Sequence, residues 1–160
     1  MMSQQPIQNF YKDDVAICYG CGKHNADGLH IKTFWDGEIG RSTFTPRPEH
    51  TAFPGFVYGG LIASLIDCHS IGTAIAAAYD AAGRAPGTDP EITCVTGNLN
   101  VSYLKPTPMG VELVLEARIK EMGERKIVVT CSVYAQDVET VRAETVAVRV
   151  PSRMFKKEAD

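Results

Sequence analysis

The segment GGLIASLIDCHSIGTAIAAAYDAA, residues 59–82, decides the fold. It holds no proline, is rich in alanine, and predicts a long helix over residues 60–82 that is apolar on nearly every side. Such a helix is normally buried. At 1.5 Å per residue it would run roughly 30 Å, the width of a small domain. Asp67, His69 and several hydroxyls make it a poor membrane span and a good core element.

Upstream, Leu29, Ile31, Thr33 and Trp35 alternate with His30, Lys32 and Phe34 and predict a strand. Asp36-Gly37 is a two-residue hairpin signal that returns the chain through Ile39–Thr45, where Pro46 and Pro48 stop it. Downstream, Val95, Gly97, Leu99, Val101 and Tyr103 oppose Thr96, Asn98, Asn100 and Ser102 in a two-faced alternation. Residues 111–120, 127–135 and 140–150 follow as further strands. The order β-β-α-β-β-β-β is that of an α+β domain, with one buried helix against an antiparallel sheet. One helix covers one face of such a sheet, so a second copy of the chain is expected to meet the rest. The chain divides into an irregular N-terminal segment (1–27), one domain (28–152) and a charged tail (153–160), of which Lys156–Asp160 is expected to fray.

A 44% hydrophobic and 22% charged composition is that of an ordinary soluble domain. A net charge of −3 gives no reason to expect nucleic acid or an anionic membrane as a partner. Met1 to Asn9 lacks the basic start and apolar stretch of a secretion signal, and a cytoplasmic protein is expected. Five cysteines, an odd number, do not suggest a disulfide framework. Cys68, Cys94 and Cys131 fall in apolar segments and are expected to act as small core residues. Cys18 and Cys21, with His24 and His30 nearby, have ligand-like spacing, but a single CxxC is weak evidence. It is read as a turn with two reduced cysteines, and neither a metal nor another cofactor is assigned.

GxSxG, HExxH, Walker and GxGxxG signatures are absent, which directs attention to the helix. Tyr58-Gly59-Gly60 opens it. The first amides of a helix have no intrahelical partner and sit at the positive end of its dipole, where an oxyanion is stabilised. The alternative is a tight turn that needs glycine. Asp67 is a carboxylate among Leu65, Ile66 and Ile71, costly unless it is paired or faces a cleft. It is a candidate general base, the alternative being an acid satisfied by Ser64 and Ser70, which share its face. His69, at i+2, points to roughly the opposite side and is read as structural. Thr96, Asn98, Asn100 and Ser102 are either a solvated sheet face or a row with one or two members reaching an active site at a dimer interface.

The run from Gly55 to His69, with Gly59-Gly60 and Asp67, resembles the glycine-glycine-helix-Asp signature of hot-dog-fold acyl-CoA thioesterases of the phenylacetic-acid-degradation type, within the 4-hydroxybenzoyl-CoA thioesterase superfamily. Asn98 to Pro106 is similar to their strand ending in a proline turn. Cys18, Cys21-Gly22, Asn25 and Gly28-Leu29 look like the N-terminal segment of a subset of that family. The resemblance runs from about residue 18 to residue 150.

It implies a curled antiparallel sheet around a central helix, assembly into homodimers or homotetramers, and acyl-CoA hydrolysis at sites shared between two subunits. It further implies Asp67 as base or nucleophile, the N–H of Gly59 or Gly60 as oxyanion donor, and Thr96 reaching from the neighbouring subunit to position water. Many members have His before the glycine pair and Asn farther upstream, where this chain has Tyr58 and Ala52. Tyr58 is then expected to donate to the thioester carbonyl, with His50 compensating from the loop. Asn98 and Ser70 complete the expected substrate-binding set, and Arg125, Lys126 and Arg153 are candidates for the coenzyme A phosphates. The acyl chain is expected between helix and sheet, its thioester over the helix start. Two other readings stay open: a non-catalytic acyl-CoA-binding module, and a hydratase or dehydratase that would need an Asp–His pair.

Overall fold

The helix α1 runs from Gly59 to Ala81, within one residue of the predicted span at each end. It belongs to a computed structural model that describes residues 4–155, so Lys156–Asp160, the end expected to fray, lies outside the described residues. Tyr58, extended at φ −61° and ψ 126°, precedes the helix and gives it no side-chain cap. Pairs of residues then alternate along it. Leu61-Ile62, Leu65-Ile66 and His69-Ser70 are buried, whereas Ala63-Ser64, Asp67-Cys68 and Ile71 are half-buried. With 3.6 residues per turn this puts Asp67 on the one stripe of the helix that the sheet leaves partly uncovered. By length and hydropathy α1 could cross a membrane, yet 72% of its most apolar stretch is buried inside the protein.

What buries it is one antiparallel sheet. The strands are β1 (Phe34–Trp35), β2 (Ile39–Phe44), β3 (Thr93–Tyr103), β4 (Leu113–Met122), β5 (Lys126–Ala135) and β6 (Val138–Val150), in the spatial order β1-β2-β4-β5-β6-β3. Alternate residues of β4 and β5 (Leu113, Leu115, Ala117, Ile127, Val129, Val133) are fully buried, as period-two strands on a core require. The helix touches all six strands, so the sheet wraps it in the hot-dog arrangement. Each buried Leu or Ile contributes about 1.5–3 kcal/mol relative to exposure.

His69 is buried in this core and structural in its contacts. Its Nε2 donates to the Gly40 carbonyl at 3.1 Å, and its Nδ1 accepts from Thr33 Oγ1 at 2.9 Å. Thr33 is held in turn by the Gln8 side chain, on its hydroxyl and its backbone N–H. Burial pushes the His69 pKa down to about 4, which keeps the ring neutral.

Two expectations need correction. Residues 29–33 do not extend β1. Leu29 N–H and Ile31 N–H donate to the carbonyls of Tyr19 and Gly20 in the N-terminal segment, and His30 takes a left-handed φ of 54° that no ladder accommodates. Leu29, Ile31 and Thr33 are buried as their alternation suggested, but against irregular backbone rather than a strand.

The second correction concerns β3. Thr96 pairs with Ala147 and Asn98 with Val146, which leaves Gly97 as the extra residue of a β-bulge. A Cβ at 97 would meet Val148 Cγ2 at 2.6 Å, so the bulge takes glycine. The inserted residue switches parity. Cys94 and Thr96 therefore share the helix-facing side with Leu99, Val101 and Tyr103, while Asn98, Asn100 and Ser102 are exposed on the other. Thr96 alone leaves the polar row of the sequence; Asn98, Asn100 and Ser102 keep it on the outer face. The outer side of β3, eleven residues long, has no strand of the described chain beside it, whereas the opposite edge strand, β1, has two.

Candidate active site

Asp67 meets one hydroxyl. The Gly97 bulge turns Thr96 toward α1, and Thr96 Oγ1 donates to Asp67 Oδ1 at 2.5 Å. Thr96 thus reaches Asp67 within its own subunit, and the expectation that it arrives from a neighbour is corrected. Neither serine proposed as the acid's internal partner fills that role. Ser64 Oγ donates to the Gly60 carbonyl at 2.9 Å, and Ser70 is fully buried beside Cys131 of β5. Ser70 is therefore no substrate contact.

Asp67 and Thr96 open on a cavity of about 550 Å³. One wall is the helix stripe with Cys68, Ile71 and Ile75; another is the start of β3; the third is the N-terminal segment from Tyr11 to Gly22, with Phe155 beside it. The volume falls in the range of small-molecule sites, and apolar side chains dominate its lining. Lys12 is the basic residue on it, and it is paired with Glu91 at 3.1 Å. The sequence shows the N-terminal segment only as irregular chain with a CxxC turn, which does not disclose its part in the cavity. Its signal was the burial-prone Ala16 and Ile7 among polar residues, which anchor it to the core.

Three thiols stand next to Asp67. The sulfurs of Cys18, Cys21 and Cys68 all lie within 4.8 Å of one another, with Cys18 Sγ and Cys68 Sγ 3.7 Å apart. Cys68 is accordingly half-buried at the cavity rather than a core residue. The S–H groups of Cys21 and Cys68 hold the Cys18 thiol far below its ordinary range, and Cys68 is pushed up in exchange.

The start of α1 forms a separate place. Tyr103 Oη donates to the Gly59 carbonyl at 2.7 Å, and the Tyr58 ring folds over Gly60, where a Cβ would meet it at 2.6 Å. Burial and then the nearby Tyr58 phenol raise the Tyr103 pKa. Tyr58 is 57% exposed and Tyr103 53%, an apolar, hydroxyl-bearing surface at the end of β3. Gly59 and Gly60 do not line the cavity, and Asp67 lies about 12 Å along the helix from them. A single chain does not bring the Gly59–Gly60 amides and Asp67 together, contrary to the expectation of a thioester lodged over one helix.

The remaining candidates fall away from Asp67. His50 is buried, its Nδ1 accepting from Arg47 N–H at 2.9 Å and its ring tilted against Phe44. Burial and then the adjacent Arg47 lower its pKa. It shapes the loop before the helix rather than contacting a ligand. Asn98 points to the outer face of the sheet, past the bulge. Arg125, in the β4–β5 turn, and Lys126, the first residue of β5, are exposed off the cavity, and Arg153 does not line it either.

Comparison with known proteins agrees with this architecture. Residues 54–142, from the loop before α1 into β6, match the thioesterase superfamily domain. A thioesterase superfamily protein of Shewanella loihica PV-4 is 45% identical, covering 88% of this chain and 100% of that one, with a TM-score of 0.64. A Streptococcus mutans UA159 protein crystallised with acetyl-CoA shares the fold at 20% identity and a TM-score of 0.62, over 76% of this chain and 89% of that one. The acyl-coenzyme A thioesterase THEM4 of Mus musculus is 32% identical over 94 residues, 59% of this chain and 35% of that protein. The chain spans less than half the length of the curated relatives it matches. From the domain match and the close Shewanella relative, which agree with the single helix wrapped by its sheet, the chain belongs to the thioesterase superfamily.

Proposed function

We propose that the chain hydrolyses an acyl-coenzyme A thioester to the free acid and coenzyme A, as a cytoplasmic homo-oligomer whose sites are shared between subunits. The observation that carries this is Asp67, held by Thr96, opening on a largely apolar cavity sized for an acyl group. Five free thiols suit a reducing compartment.

The shared site follows from β3. Its Thr96 end lies beside Asp67, and its Tyr103 end lies beside Gly59. If two copies pair antiparallel through their free β3 edges, centred on Asn100 so that like faces meet, the Gly97 bulge brings Tyr103 of the partner subunit opposite Thr96. Strands so paired are about 4.8 Å apart. The helix start of one subunit then faces the acid of the other, and the gap seen within one chain is closed.

At such a site the amide of Gly59 or Gly60 in one subunit polarises the thioester carbonyl. Asp67 of the other takes a proton from water as the water oxygen bonds to the carbonyl carbon. The tetrahedral oxyanion rests on the amide. When the C–S bond breaks, the electron pair leaves with the coenzyme A sulfur, which is protonated to the thiol. A direct attack by the Asp67 carboxylate, giving an anhydride that water then opens, uses the same groups. A hydratase reading loses its required pair, because both ring nitrogens of His69 are engaged in the core.

The test is release of free thiol across short, long and aromatic acyl-CoAs. The wild-type chain should release thiol, and Asp67→Asn should lower turnover at least about a hundredfold with an unchanged circular dichroism spectrum. Binding without thiol release by the wild type, or full turnover by Asp67→Asn, would overturn the proposal.

A further inference from the structure

The cysteine cluster is not explained by thioester hydrolysis. We infer that Cys18, Cys21 and Cys68 bind a zinc ion that staples the N-terminal segment to α1 beside Asp67, with its fourth coordination position open to the cavity. This stands independently of the proposed activity.

Geometry carries the inference. Zinc bonds thiolate sulfur at about 2.3 Å in a tetrahedron, whose S···S edge is then about 3.8 Å. Cys18 Sγ and Cys68 Sγ are 3.7 Å apart, and all three sulfurs lie within 4.8 Å of one another. The ligands come from two distant parts of the chain, a loop and a helix, and converge without any disulfide.

The backbone is shaped for that approach. At Gly20 a Cβ would fall 2.3 Å from Cys68 Sγ, so any other residue there would push the helix cysteine off the loop. At Gly22 it would fall 2.4–2.6 Å from backbone atoms of Cys18 and Ile17, and the Gly22 N–H closes the turn on the Cys18 carbonyl at 2.7 Å. A core of three ordinary thiols needs none of this.

No fourth His, Cys, Asp or Glu atom joins the cluster among the described residues. Water or a ligand entering the cavity would complete the tetrahedron. Binding would release the thiol protons to solvent and leave three thiolates on the ion. Since Tyr11 to Gly22 forms a wall of the cavity, the staple would fix the shape of the space that Asp67 faces.

The experiment uses the 160-residue chain without a histidine tag, purified under reducing conditions. Elemental analysis should find one zinc per chain. After chelation, added cobalt(II) should restore one equivalent and give the near-ultraviolet sulfur-to-cobalt charge-transfer band of a thiolate site. Cys18→Ser and Cys68→Ser should each lose at least tenfold in zinc affinity, while Cys131→Ala, outside the cluster, should keep its zinc. Chelation should lower the melting temperature of the wild type and leave that of Cys18→Ser unmoved. A chain that takes up no stoichiometric zinc, a cobalt adduct without the thiolate band, or full zinc binding by both serine variants would overturn the inference. So would an intact mass lighter by two hydrogens under mild oxidation that added zinc fails to prevent, which would mark the cluster as a disulfide pair. None of these readouts depends on thiol release from acyl-CoA, so failure of the staple and failure of the hydrolysis proposal are separable.

Discussion

Replacing Thr96 with valine keeps the bulk of the side chain and removes the hydroxyl that Asp67 accepts from at 2.5 Å. A hydrogen bond to a charged group contributes about 1.5–3 kcal/mol. If that bond aims the carboxylate, Thr96→Val should lower kcat roughly tenfold to a hundredfold, and Thr96→Ser should restore most of it. An unchanged kcat in the valine variant, with Asp67→Asn still dead, would remove Thr96 from the site. His69, two residues from Asp67, calls for the opposite kind of measurement. His69→Leu would leave the Thr33 hydroxyl and the Gly40 carbonyl without their ring partner inside the core. The expected cost is about 2–4 kcal/mol of stability by urea unfolding. A variant as stable as wild type would show that the core relaxes around the loss.

At the level of elements, the bulge in β3 does the positioning. Gly97→Val would drive a side chain into Val148, whose Cγ2 already lies 2.6 Å from where the Cβ would stand. Overpacking of this kind costs about 1–3 kcal/mol, readable as a lower urea midpoint. Because the strain falls next to Thr96, kcat should drop more than stability alone explains; a variant with normal kcat would detach the bulge from the site. The sequence was readable where periodicity and chain breaks act locally. Residues 60–82 show the helix through composition, and the strands after it show through alternation, so the element order and the acid on the helix were legible. The bulge was not, because one inserted residue leaves the written alternation intact while it reverses which face each later side chain takes. By alternation alone Asn98 sides with Thr96 and the site, whereas the bulge puts it on the outer face. Nor could Cys68 be joined to Cys18 and Cys21 from spacing, since their meeting depends on a loop crossing a helix far along the chain. The same limit applies to Ser70: sharing a face with Asp67 by count did not reveal that β5 would cover it.

The whole molecule poses a geometric question that mixing two inactive variants can answer. Asp67 and the Gly59–Gly60 amides lie on different stretches of the same helix, about 12 Å apart along its axis. They can serve one thioester only if they come from two subunits, across the free β3 edge and the exposed Tyr58 and Tyr103 surface. Asp67→Asn removes the base. Gly60→Asp sets a negative charge at the proposed oxyanion position; its Cβ displaces the exposed Tyr58 ring, which has room to swing outward, and an acid in the first turn favours the helix itself, so the fold should survive. Each variant alone should be inactive. Unfolded and refolded together in equal amounts, they form a mixed dimer in about half of the assemblies, by random pairing about a two-fold axis. Each mixed dimer carries one site with both defects and one with neither. Thiol release should therefore return to about a quarter of the wild-type rate per chain, given that pairing. If acid and helix start acted within one subunit, every site in the mixture would carry a defect, and no activity would return at any ratio.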